Sequence, residues 1–269
     1  MGPALIPRSA RPPIWREARF GLEAAALLRD PIFRGVGLND GRGRPVLLIP
    51  GFLAGDGSLG VMGNWLKRAN YRPTRAGIRA NVDCAGALLE RLEQRLEPIV
   101  AEQGRRAAIV GQSRGGGLAK VLAHRRPDLV CGIVTLGSPH VEPLAIHPLV
   151  RLQVEAVGRL GTLGAPGFFK RACLEGDCCA GFWEQLAGPL RADVGFVSVY
   201  SCSDGIVDWR ACLDPAADEQ VEIDASHCGM SLSAAAWRAV AMSLESFRRA
   251  EARRGPAPPA RVARLPRAA

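Results

Sequence analysis

Histidine and long apolar runs are what this chain has least of, and each scarcity narrows what the protein can be. Four histidines occur in 269 residues, and no two cysteines stand in Cys-x-x-Cys spacing. The local chelating pairs of zinc fingers and ribbons are therefore missing. No uninterrupted apolar run reaches the roughly 18 residues of a membrane span. Near the start, Pro3, Pro7, Arg8, Arg11, Pro12 and Pro13 interrupt any stretch of the roughly 7–15 apolar residues that a secretory signal needs. The expectation is a soluble, cytoplasmic protein.

What is present is an ordinary core-forming composition, 48% hydrophobic, with length for one domain plus tails and a modest insertion. The net charge is +9, but it is unevenly spread. Seven arginines against one glutamate between Arg248 and Ala269 supply +6 of it. An Ala/Pro/Arg-rich end of this kind reads as a solvated, disordered tail over residues 250–269. No nucleic-acid partner is expected, while transient contact with a membrane or lipid surface stays open. The eight cysteines sit awkwardly with a reducing compartment. Cys131 lies in an apolar run and reads as core. Six of the eight fall after residue 170, where one or two disulfides are an option and zinc a lesser one.

Along the chain, short apolar runs alternate with amphipathic stretches. Residues 1–43 form an extension with one helix, Trp15 to Arg29, whose Trp15, Ala18, Leu22, Ala25 and Ala26 recur at helical spacing. Strands are expected at Pro45–Ile49, Tyr71–Ile78, Ala107–Val110, Val130–Leu136, Val194–Tyr200 and Gln220–Ile223. Helices are expected at Leu59–Arg68, Cys84–Val100, Leu118–His124 and Ser231–Arg248. Buried strands alternating with helices predict an α/β domain over residues 44–249, a mostly parallel sheet with helices on both faces. Residues 141–190 break the rhythm. With Leu144, Ile146, Phe168, Phe169, Phe182 and Trp183, they read as a cap insertion over the carboxyl edge of the sheet, or as covering helices.

One constellation carries chemistry. Gly111-Gln112-Ser113-Arg114-Gly115 matches Gly-x-Ser-x-Gly, which arises by accident in about one chain in six of this composition. Its placement is the stronger signal, because a nucleophile elbow needs a strand, a sharp turn and a helix in succession. A phosphate-binding loop is the rival reading, but the Lys-Ser/Thr it requires is absent. A serine hydroxyl needs a base. His124 reads as a solvated helix end, His140 as a possible cleft wall, and His147 as cap surface. His227 follows the last expected strand on a loop that reaches the same sheet edge, and is the candidate base. Asp204, directly after strand Val194–Tyr200, is the candidate acid. Asp208 is its rival, with a helix cap as its plain role. The oxyanion donors would be the backbone N–H groups of Phe52, in Pro50-Gly51-Phe52-Leu53, and of Arg114.

The chain resembles the lipase/esterase branch of the α/β-hydrolase superfamily. The likeness rests on Leu47-Leu48-Ile49-Pro50-Gly51-Phe52, the Ser113 elbow, Leu136-Gly137-Ser138-Pro139-His140, Ser203-Asp204-Gly205-Ile206-Val207 and Ser226-His227. Two segments depart from the common pattern, with Pro-Gly where many such lipases have His-Gly and Gly-Ser-Pro-His where they have Gly-Thr-Pro-His. The resemblance implies an α/β-hydrolase fold and hydrolysis of small acyl esters through an acyl-enzyme on Ser113, Asp204 and His227, with no metal or organic cofactor. Acyl transfer, or thioester or amide cleavage, by the same residues is the nearest alternative. A non-catalytic binding module of the same fold is the more distant one.

Overall fold

Three strands of this protein are buried along their whole length: Pro45–Ile49 (β1), Ala107–Gln112 (β3) and Val130–Leu136 (β4). Such continuous apolar runs fit a sheet covered on both faces. The computed structural model describes residues 12–176 and 179–254. In it these strands form the middle of a six-stranded sheet with Arg72–Arg75 (β2), Gly195–Tyr200 (β5) and Glu219–Glu222 (β6), in the order β2-β1-β3-β4-β5-β6. Every pairing is parallel. The α/β architecture expected from the sequence is therefore the observed one. The edge strands β2 and β6 are short and polar, and β2 stops three residues before the expected Ile78.

Two apolar clusters lie on opposite faces. One packs Ala85–Gln103 (α3) and Arg114–Arg125 (α4) against the sheet. The other packs Gly60–Arg68 (α2) and Ala234–Arg254 (α8), where the Trp65 and Trp237 rings lie 4.5 Å apart. Both indoles bury their rings and satisfy their N–H groups on backbone carbonyls, Trp65 on Ile32 and Trp237 on Ser231. The closing helix begins three residues later than expected and runs on to Arg254, so the basic tail beyond it, residues 255–269, lies outside the described residues, as does Cys178. No described helix is long and apolar enough to cross a membrane.

Two further segments bear on the site. Pro148–Thr162 (α5), Arg171–Glu175 (α6) and Ala180–Ala187 (α7) sit over the carboxyl ends of the strands. Their aromatic groups are not exposed: Phe169 and Phe182 are buried, and Phe168 and Trp183 pack against the core. The N-terminal stretch is a 3₁₀ helix, Ile14–Arg19, followed by Phe20–Arg29 (α1). Here the apolar periodicity misleads, since Trp15 and Leu22 are about three-quarters exposed, at 76% and 75%. The segment docks through the buried Leu27, through Arg16 and Arg19 on the Cys202 carbonyl and Asp224, and through its acidic side chains, and what the last hold lies in the site.

Candidate active site

The turn between β3 and α4 puts Ser113 at φ 53°, ψ −123°. A side-chain-bearing residue reaches that region at a cost of about 1–3 kcal/mol, which the surrounding structure must absorb. Neighbouring backbone explains the flanking glycines. A Cβ on Gly111 would lie 2.5 Å from the Gly115 carbonyl oxygen, and one on Gly115 would lie 2.3 Å from that of Ile49. No side chain fits either gap. α4 starts at Arg114, directly behind the serine and four residues before the expected start, so its first N–H groups and positive dipole end face the turn.

The other two predicted residues meet on the same sheet edge. His227 Nδ1–H donates to Asp204 Oδ2 at 2.6 Å, and both side chains are buried. Asp204 Oδ1 accepts the N–H groups of Ile206 and Val207 at 2.8 and 2.7 Å, which fixes the carboxylate. Burial disfavours the imidazolium, but the charge and hydrogen bond of Asp204, with the nearby Glu17 carboxylate, outweigh it and raise His227 above the ordinary 6.5. Asp208 does what its plain reading says: it caps a 3₁₀ turn by accepting from Arg210 N at 3.1 Å. Among the described residues the imidazole's bond is to Asp204. Ser113 joins the pair through its neighbours, since Gln112 Nε2 donates to the His227 carbonyl at 3.0 Å. Ser113 N also donates to the Leu136 carbonyl at 2.8 Å, one residue before Gly137, which lies against both His227 and Asp204.

The remaining histidines fall elsewhere. His140 is buried, with Nε2 3.0 Å from Thr135 Oγ1 and its ring edge-on to Phe196, and loss of hydration drives its pKa down to about 3. Burial thus keeps the imidazole neutral and makes it a weak base. His124 is exposed, and His147 caps α5 by accepting from Leu149 N.

Three side chains that the sequence reading passed over complete the surroundings. Glu17 accepts three backbone N–H groups: Gly205 at 2.9 Å and His227 at 2.8 Å on Oε1, and Cys228 at 2.9 Å on Oε2. It thereby ties the Asp204 loop to the His227 loop. Glu23 holds Ser226 N and Oγ at 2.7 and 2.6 Å. Asn81, fully buried, donates to the Pro50 carbonyl at 2.7 Å and accepts from Arg114 Nη1 at 2.7 Å, so the loop bearing Phe52 is braced against the residue after the serine. The Arg114 guanidinium also reaches the Asn81 and Asp83 carbonyls and lies 5.2 Å from the Phe169 ring centre, and loss of hydration lowers its pKa to about 10.

Beside Ser113 an apolar cavity opens under the cap, about 910 Å³ with its solvent-filled mouth, lined in part by Phe52, Leu144, Phe169, Phe182 and Trp183. The arrangement joins a hydroxyl at a helix start, an imidazole oriented by a buried carboxylate, and an apolar chamber.

No family model matches the chain, and no curated protein sequence matches it. Solved structures do. One reported for the metagenome-derived lipolytic enzymes LipS and LipT aligns at a TM-score of 0.57 with 14% identity, over 79% of this chain and 96% of the other. A monoacylglycerol lipase from Paleococcus ferrophilus aligns at 0.53 with 15% identity, over 78% and 96%. An α/β superfamily hydrolase from Oenococcus oeni PSU-1 aligns at 0.50 with 18% identity, over 77% and 92%. At such identities the likeness is one of fold, and the fold is that of the α/β hydrolases.

Proposed function

We propose that this protein hydrolyses carboxylic esters with apolar acyl groups through an acyl-enzyme on Ser113. The observation that carries the reading is a strained serine between strand and helix, on the sheet edge where a buried Asp204–His227 pair stands. Ser113 Oγ attacks the acyl carbonyl and gives its proton to His227 Nε2, while Asp204 holds the tautomer and stabilises the imidazolium. The carbonyl oxygen takes the negative charge against the N–H groups of Phe52 and Arg114, each such donor contributing about 3 kcal/mol. Collapse expels the alcohol, which takes the proton back from His227. Water then attacks the acyl-serine with His227 as base, releasing the acid and restoring the hydroxyl.

The apolar lining supports an acyl rather than a charged substrate. Leu149, Leu152 and Leu160 on α5, with Leu163 just beyond it, are exposed, which supports brief contact of the cap with a lipid surface. The lipolytic activities belong to the structural neighbours named above, and their fold makes the reading economical. A panel of nitrophenyl esters of increasing acyl length tests it. Turnover with a pre-steady-state burst and a preference for medium chains is expected. No turnover of any ester, or a preference for acetyl over all longer chains, contradicts the reading.

A further inference from the structure

Three thiols converge under the cap, beside the serine site but outside its machinery. Cys84 stands at the amino end of α3, Cys173 lies in α6, and Cys179 immediately precedes α7. Their Sγ atoms all lie within 4.8 Å of one another, and those of Cys84 and Cys179 are 3.8 Å apart. Two thiolates on one tetrahedral zinc, each with a bond of about 2.3 Å, stand about 3.8 Å apart. The spacing is thus already that of two ligands on a shared ion.

The surroundings favour thiolates. Cys84 stands just ahead of the first residue of α3, where the unpaired backbone N–H groups and positive dipole end of the helix favour a negatively charged sulfur. The Arg114 guanidinium is close enough to interact with all three sulfurs. Three thiolates, a dication and this guanidinium leave no net charge in a part-buried site, whereas a monocation would leave one negative charge unmatched. The carboxylate next to Cys84 in the chain, Asp83, is engaged by Arg91 at 2.6 Å.

We infer that Cys84, Cys173 and Cys179 form a binding site for a thiophilic divalent ion, zinc(II), which pins the cap helices α6 and α7 to the start of α3. Three protein ligands leave a fourth position for an exchangeable ligand. Cys173 and Cys179 also line the cavity beside Ser113, so the ion would fix the wall that Leu174, Phe182 and Trp183 contribute. This site was invisible as a motif because Cys84 and Cys179 are 95 residues apart.

The test uses the full-length protein, purified under reducing conditions, stripped with a chelator, and titrated separately with zinc(II), copper(I) and cobalt(II). Expected are one zinc(II) per chain, thiolate-to-cobalt charge-transfer bands in the cobalt form, and a rise in Tm on zinc binding. Cys84→Ser and Cys173→Ser should lose stoichiometric binding, while Cys202→Ser, at an exposed thiol, should bind as the parent does. The cobalt spectrum needs no variant, so a variant that fails to fold does not leave the question open. Cobalt bound without sulfur bands, no stoichiometric uptake of zinc(II), uptake of copper(I) alone, or a Cys84–Cys179 disulfide in the protein isolated without reductant would each overturn the proposal.

Discussion

The Glu17 carboxylate accepts the backbone N–H of His227 at 2.8 Å across 210 residues of sequence. On its other bonds it reaches Gly205 and Cys228, so a helix that opens the described chain sets the spacing of the loops carrying Asp204 and His227. Glu17→Gln keeps an acceptor for Gly205 and His227 but removes the charge. Because that charge raises His227, the variant's acidic limb in kcat/KM should move to lower pH, with the fold intact. Glu17→Ala should lower kcat about tenfold, equivalent to about 1.4 kcal/mol, with little change in KM. An unmoved pH midpoint in Glu17→Gln would reduce Glu17 to a structural brace.

His227 must be neutral to accept a proton. With its pKa raised above 6.5 by Asp204, activity should fall as pH drops through that raised value, and a single ionisation should describe the acidic limb. Asp204→Asn should lower kcat by about 10⁴-fold, as neutralising the corresponding carboxylate does in a serine protease, and shift the limb downward. Asp208→Ala removes only the cap that accepts from Arg210 N, costing about 1 kcal/mol of stability. Steady-state pH profiles of both variants decide between the two aspartates.

Gly115 has no room for a methyl group, with the Ile49 carbonyl oxygen 2.3 Å from where its Cβ would stand. Gly115→Ala should therefore displace β1 or α4, at about 1–3 kcal/mol or more, and reduce activity with it. Gly57, with nothing within 4 Å of its Cβ position, serves as the control, and Gly57→Ala should melt within a degree or two of the parent. Thermal melts of the pair measure the difference.

Lys120, buried in α4, meets Asp214 at 2.5 Å. Removing one partner strands the other charge, so Asp214→Ala should cost about 3–5 kcal/mol. Denaturant titration checks this, and a loss below 1 kcal/mol would mean that Lys120 finds water or another acceptor.

The sequence carried the sheet and the Ser113 turn because both are local patterns: apolar runs of strand length, and two glycines around a serine between strand and helix. Asp204 and His227 were legible for a related reason, as each follows a strand that ends at the same edge. The start of α4 was not, since Gly115-Gly116-Gly117 are poor helix formers, the first two kept by close approach, a Cβ on Gly116 falling 2.0 Å from Ser138 Oγ. The N-terminal helix was legible as a helix but not in its docking face. Trp15 and Leu22 marked its apolar side, yet orphaned N–H groups on two distant loops select Glu17 and Glu23. Asn81 and the Arg114 side chain escaped likewise, because their partners exist only once the chain has folded.

The most direct measurement is covalent labelling with a fluorophosphonate probe, read by intact mass and peptide mapping. The expected result is one adduct per chain on Ser113, blocked in Ser113→Ala and slowed in His227→Ala. An unlabelled parent, or equal labelling of Ser113→Ala, would contradict Ser113 as the nucleophile.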